Sequence, residues 1–154
     1  EMEPEMSEDR VEVTLEQQQG YRFEARFSGG TPPLITDEPA PLGNNEGPSP
    51  AQLLVTAIAN CLSDSLIFAL AKFRQPNDGI RTEAVGLIGR NEENRMRVVG
   101  VEVTLHLGHP ASAFERLERI LDQFEQFCTV SQSVAAALPI QLTVLDSDGV
   151  KLKG

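Results

Sequence analysis

Two cysteines, Cys61 and Cys128, stand 67 positions apart in a chain of 154 residues. Two are too few for a disulfide scaffold or a four-thiolate zinc site, but enough for one redox pair. The plain alternative for each is a small buried hydrophobe. Cys61 lies in an apolar stretch about three turns into a helix, too far in for that helix's own N-terminal N–H groups to stabilise a thiolate. If it reacts, a cationic side chain from elsewhere must lower its pKa. Cys128 lies in Phe127-Cys128-Thr129-Val130-Ser131, at the junction of two helical stretches and just before a new helix start. Local physics alone makes Cys128 the better thiolate.

Other chemistry has little to build on. His106 and His109 are three apart, but one lies on the polar face of a strand and the other precedes a proline. With no third ligand nearby they read as solvated histidines, and neither metal nor cofactor is expected. Gly43-Asn44-Asn45-Glu46-Gly47 has the glycines of a phosphate loop, but an acidic side chain among them and no lysine after them. Ser131 and Ser133 have no identifiable histidine partner.

The chain carries 13 basic and 23 acidic residues, a net charge of −10. That charge repels phosphate backbones and anionic lipid, so neither nucleic acid nor membrane surfaces are expected partners. No run of about 18 apolar residues is present, so no spanning helix is expected. Residues 1–10 are acidic and polar, unlike a signal peptide, and a cytoplasmic protein is expected. A 40% hydrophobic content suffices for one domain with its own core.

The elements that must position the thiols follow from periodicity. Residues 1–9 read as a flexible acidic tail, and 10–47 as a hairpin and loop. Residues 10–16 and 21–27 alternate with period two, placing Val11, Val13 and Leu15 on one face and Tyr21, Phe23, Ala25 and Phe27 on another, with a turn over Gln17–Gly20. Six prolines and four glycines between Ser28 and Pro50 mark an ordered loop, with room for a brief strand at Leu34–Thr36. Ser49 as N-cap, Pro50 at the first helical position and Gln52 then open a central helix over 48–75. Leu54, Ile58, Cys61, Leu62, Leu66, Ala69 and Phe73 recur at helical spacing in a segment apolar nearly all round, which predicts a covered helix ended by Pro76–Gly79. Sheet and helices fill 80–154. Strands are expected at 81–89 and 96–107, joined by a turn at 91–94, with Val99, Val101, Val103, Leu105 and Leu107 inward. A helix capped by Ser112 carries Phe114, Leu117, Ile120, Leu121 and Phe124 on its inner stripe. A short helix over 130–137 and a strand over 139–145 complete an α+β order with antiparallel strands packed against helices.

Gly47-Pro48-Ser49-Pro50-x-x-Leu53-Leu54, followed by Ala57-x-Ala59-x-Cys61, resembles the signature of the OsmC/Ohr family of bacterial thiol-dependent peroxidases. Cys128-x-Val130-Ser131-x-Ser133-Val134 resembles that family's second motif, and the loop from Asp37-Glu38-Pro39 to Leu42-Gly43 fits the approach to the first in OsmC-like members. The resemblance implies an intertwined homodimer in which antiparallel sheets from both chains wrap two long central helices. It also implies that Cys61 is the peroxidatic thiol, oxidised to a sulfenic acid, and Cys128 the resolving thiol that condenses with it to a disulfide. That reverses the local reading. The reductant implied is a dithiol, either a lipoyl protein or a small thiol.

Members of the family place an arginine beside the reactive thiol and a glutamate to orient it. The glutamate follows the proline at Pro50, where this chain has Ala51 and Gln52. Glu46, a few residues earlier, is the substitute carboxylate, and Arg22 and Arg26 are the candidate arginines, on the strand face opposite Phe23 and Phe27. Two functions follow. One is a peroxidase reducing organic hydroperoxides, with apolar surroundings at Cys61 favouring alkyl or lipid peroxides. The other is a divergent dimer that binds a small apolar molecule or serves another redox role.

Overall fold

A computed structural model describes residues 10–154; the expected acidic tail at 1–9 lies outside the described residues. The chain divides into two compact units, the first ending at Pro50 and the second beginning at Ala51.

The first unit is a three-stranded antiparallel sheet, β1 (Val13–Gln19), β2 (Arg22–Phe27) and β3 (Leu34–Thr36), in that order. The hairpin turn is tighter than the expected Gln17–Gly20. Both strands run on until only Gly20 and Tyr21 separate them, because Gly20 takes φ +57° and a register shift between Gln17 and Gln19 absorbs the extra residue. Val11, Val13 and Leu15, which the alternation places on one face, are exposed. The brief strand at Leu34–Thr36 forms as expected and pairs with Phe23–Ala25.

The second unit starts with α1 (Pro50–Lys72), which opens where the Ser-Pro signal places it, with Ser49 at the N-cap position. It ends a turn earlier than expected. Arg74 adopts φ +57°, and the N–H groups of Arg74 and Gln75 return to the carbonyls of Ala71 and Leu70, a Schellman stop upstream of Pro76. Ile58, Leu62, Leu66 and Leu70, each four apart, form one deeply buried line along α1. The rest of the helix is less covered than its apolar composition predicts: Ile67 and Phe68 are exposed. By length and composition α1 could cross a membrane, which corrects the expectation drawn from apolar run length; the charged Asp64 and the core contacts of its buried line sit within that same segment.

Four strands make the second sheet in the order β4 (Arg81–Arg90), β5 (Met96–His106), β6 (Ile140–Leu145), β7 (Lys151–Lys153). Its pairs are antiparallel except β5 with β6, which are parallel, a departure from the expected all-antiparallel arrangement. Parallel neighbours need a long crossover, and the helical segment between β5 and β6 supplies it. Val101, Val103, Leu105 and Leu107 face the core as expected, but Val99 does not. Leu87 pairs with Gly100 and Ile88 with Val98, so Val99 is the unpaired residue of a β-bulge and Val98 takes the inner position. Gly86 permits the approach of α1, since a Cβ there would meet Val55 Cγ2 at 2.7 Å.

Between β5 and β6 lie a 3₁₀ turn at Ala111–Ala113, α2 (Leu117–Gln123), a second 3₁₀ turn at Phe124–Phe127 and α3 (Thr129–Val134). The expected Ser112 cap is not the start of α2. Ser112 sits inside the first turn, and Arg116, at φ +58°, leads into the helix. The predicted stripe holds nonetheless: Ile120, Leu121 and Phe124 are buried, with Phe114 and Leu117 packed beside them.

Candidate functional site

Cys61 lies midway along α1, one position before buried Leu62, and is itself only partly buried. Cys128 is fully buried and forms the N-cap of α3, with extended backbone (φ −81°, ψ 103°) and its Sγ accepting the Ser131 N–H at 3.4 Å. The fold brings the two thiols, 67 positions apart in sequence, to one another. Burial pushes the Cys61 thiol above its ordinary value; the backbone N–H of Val130 pulls it down, the Cys128 side chain pushes it up, and the N–H of Thr129 pulls it down again. The net direction is upward, as expected of a thiol in apolar surroundings that faces another thiol.

These donors were not found from the sequence. Cys61 is indeed too deep in α1 to use that helix's own N-terminus, but it meets the first N–H groups of α3 instead. The signal was present in the Cys-Thr-Val-Ser helix start, which fixes where those N–H groups are; what it could not fix is that the Cys61 side chain points at them.

The first unit holds the candidate charges. Arg22 donates from Nη1 to Glu46 Oε1 at 2.8 Å and from Nε to Gln18 Oε1 at 2.8 Å. Arg22 and Glu46, named separately from the sequence, are therefore one ion pair. Arg26 is engaged differently, with Glu24 of its own strand at 2.6 Å. The loop that presents Glu46 is built around buried Asp37, whose carboxylate accepts the N–H groups of Glu38 (2.8 Å), Asn44 (3.1 Å) and Glu46 (3.1 Å). Burial acts to raise the Asp37 pKa, but the three donors and the charge of Arg22 outweigh it and hold the carboxyl below its ordinary range. The loop closes tightly. A Cβ on Gly43 would meet Glu38 O at 2.3 Å, and one on Gly47 would meet Ile35 O at 2.1 Å. The glycines serve backbone packing around a carboxylate, a use incompatible with a phosphate cradle.

The histidines have local partners. His106 Nε2 lies 2.8 Å from Glu83 Oε1, and His109 Nε2 lies 2.8 Å from Asp78 Oδ1. His106 and then Arg81 hold Glu83 below its usual range, and His109 does the same for Asp78. These are surface pairs spaced along the sheet edge and its flanking turn, and among the described residues no group of three ligand-type side chains converges on one point.

Comparison with known proteins places this geometry. Residues 43–143 match the family model described as OsmC-like protein. No curated protein matches the chain. Similar solved structures include an OsmC-like protein of unknown function from Vibrio cholerae, at 16% identity and TM-score 0.73, covering 90% of this chain and 99% of that one. An organic hydroperoxide resistance protein OsmC from Legionella pneumophila aligns at 14% identity and TM-score 0.69, covering 90% and 98%. The organic hydroperoxide resistance protein OhrB of Bacillus subtilis aligns at 15% identity and TM-score 0.64, covering 90% and 99%. At these identities the likeness is one of fold: the mixed α+β arrangement expected from the motifs is the arrangement of these structures.

Proposed function

The chain belongs to the OsmC-like protein family, and from that premise we propose that it is a thiol-dependent peroxidase acting on organic hydroperoxides. The observation that carries the reading is the meeting of the Cys61 thiol with the Cys128 side chain beside two N–H donors. The Cys61 thiolate attacks the outer peroxide oxygen; the O–O bond breaks, the alcohol leaves with a proton, and Cys61 becomes a sulfenic acid. The Cys128 sulfur then attacks the Cys61 sulfur, water leaves, and a disulfide forms. A dithiol reductant, a lipoyl protein or a small thiol, returns both cysteines and is itself oxidised.

The thiolate needs a cation, since burial alone keeps Cys61 protonated. We assign that role to Arg22, held by Glu46, rather than to Arg26, which is spent on its own strand neighbour. Glu46 on the loop thereby does what the missing carboxylate at Ala51 and Gln52 would do. The working unit in this reading is an intertwined homodimer. Support comes from the apolar side chains left exposed on both sheets, among them Val13, Leu15, Val85, Leu87 and Ile88, which a monomer gains nothing by showing to water.

One observation favours a second reading, a non-peroxidase dimer that binds a small apolar molecule: no cation is among the leading influences on Cys61, whose pKa is raised. Rapid alkylation of Cys61 at pH 6 together with dithiol-dependent consumption of an alkyl hydroperoxide supports the peroxidase. Alkylation no faster than that of a free thiol, with no peroxide consumed, sinks it in favour of the second.

A further inference from the structure

The segment that carries Cys128 has little of its own to hold it in place. A four-residue 3₁₀ turn, Phe124–Phe127, leads into Cys128, whose backbone is extended, and α3 after it is only six residues long. Elements this short do not keep their shape without tertiary anchors. The preceding residue offers none, since Phe127 is 70% exposed. Cys128 is nonetheless fully buried, and its side chain stays within reach of Cys61.

The anchor is Lys153, on β7. Its backbone is fixed by pairing with Val144, a fully buried residue of β6. Its ammonium donates to the Leu121 carbonyl in the last turn of α2 and to Glu125 Oε1, and it lies 5.4 Å from the ring centre of buried Phe124. Carbonyls in the last turn of a helix lack partners within it, and a cation there is favourable. Lys153 and Glu125 are also the only ion pair among the described residues with both side chains two-thirds buried or more, at 25% and 33% exposure. Solvent and salt screen such a pair less than they screen the surface pairs.

Glu125 passes the constraint on. Its carbonyl accepts the N–H of Cys128 at 3.1 Å and Nε2 of Gln132, on α3, at 3.2 Å. One residue thus ties the sheet, through Lys153, to Cys128 and to the helix that Cys128 caps.

We propose that Lys153 is a positioning residue for disulfide formation, holding the Phe124–Phe127 turn through Glu125 so that the Cys128 sulfur is presented to Cys61. It acts through Glu125 and the turn, not on the sulfurs. In the peroxidase reading, on which this use rests, the step served is the attack of Cys128 on the Cys61 sulfenic acid with loss of water. The same placement sets how readily the two thiols close with any oxidant, so it is measurable without peroxide.

Equilibration of the full-length protein with reduced and oxidised glutathione tests it. Cys61 displaces one glutathione from glutathione disulfide; Cys128 then attacks the Cys61 sulfur and displaces the other, so the pair is oxidised as one glutathione disulfide is reduced to two thiols. The equilibrium constant reports the effective concentration of the Cys128 thiol at Cys61. Lys153→Met is expected to lower it about five- to tenfold, the scale of one charge-assisted hydrogen bond. Lys153→Arg, which keeps the charge and the donors, should recover most of the loss. Glu125→Gln keeps the side-chain shape and the backbone contacts, should lower the constant about two- to fivefold, and carries the test if Lys153→Met does not fold. Alkylation of Cys61 in the reduced protein should change by less than about twofold in all three variants, because the brace acts on the other thiol. With one equivalent of cumene hydroperoxide, Lys153→Met and Glu125→Gln should leave more sulfinic acid and less disulfide than the wild type. An unchanged glutathione constant in whichever of these two folds, a loss that Lys153→Arg does not recover, or a loss matched by an equal fall in Cys61 alkylation overturns the proposal. Failure of the peroxidase reading has a different signature: the wild type consumes no peroxide, while the glutathione constants still separate the variants.

Discussion

The two units divide the chemical requirements between them. The first fifty residues hold a guanidinium tied to a carboxylate 24 positions away, a loop organised by a buried aspartate, and no cysteine. The remainder holds both thiols, backbone donors aimed at one of them, and no cation among the leading influences on it. Each has half of what a reactive thiol needs. The second unit by itself describes a partly buried thiol whose pKa is raised, and the peroxidase reading needs a cation that is not among the leading influences on Cys61.

The largest expected effect is the loss of the thiol. Cys61→Ser should reduce dithiol-dependent consumption of an alkyl hydroperoxide to the uncatalysed rate, whereas Cys128→Ser should still form a sulfenic acid, trapped by a dimedone reagent, without a disulfide. Unaltered turnover in Cys61→Ser would move the chemistry away from Cys61. Next is the charge from the first unit. Arg22→Gln should raise the pKa of Cys61 by about one to two units, lowering alkylation and peroxide reduction at neutral pH by roughly ten- to a hundredfold. The pH–rate profile should move to higher pH, since the thiolate fraction below the pKa falls tenfold per unit. An unshifted profile would mean the two units do not cooperate in this way.

Smaller effects separate the members of the first unit. Glu46→Gln leaves Arg22 charged but loosens it, and a severalfold fall in rate is expected, of the order of one charged hydrogen bond. Arg26→Gln should change the rate less than twofold, because Arg26 is itself exposed and is paired with a neighbour on its own strand. A larger effect at Arg26 than at Arg22 would reverse the assignment.

Asp37 offers the subtlest test, of the loop rather than the chemistry. Its carboxyl is held below the ordinary 3.8. It therefore contributes stability that is fully present above about pH 3.8 and lost as pH falls through the lower, folded value. Exchange of the Asn44 and Glu46 amide hydrogens should accelerate across that acid window relative to the intrinsic rate. In Asp37→Asn the window disappears and these amides exchange faster at every pH. Identical profiles for the two proteins would show that Asp37 does not organise the loop.

The sequence was most readable where a local rule is strong. Ser49-Pro50 fixed the start of α1, alternation from Val101 to Leu107 fixed the core face of β5, and Leu34–Thr36 emerged as a strand from a proline-rich loop. Readings failed where one residue's backbone overrode the pattern: Arg74 stopped α1 before Pro76, Arg116 displaced the start of α2 from Ser112, and the bulge at Val99 shifted the inner face by one position. Left-handed φ at arginine carries no composition signal, and the bulge carries only a weak one, Gly100 directly after Val99. Both cysteines were legible, and so were Arg22 and Glu46 as types. Their joining into one pair was not, because it depends on Asp37 folding the loop so that Glu46 returns to β2. The exposure of Val13, Leu15 and Phe68 was equally hidden, since periodicity reports that a face is apolar and not what covers it.

The central claim is that Cys61 and Cys128 are a working pair, and mapping the sulfur chemistry after a single equivalent of peroxide tests it most directly. Reduced protein treated with one equivalent of cumene hydroperoxide and digested without reductant should yield a peptide linking Cys61 to Cys128, reversible by a dithiol. Recovery of Cys61 as a free thiol, or as a sulfinic acid with Cys128 unlinked, would contradict it.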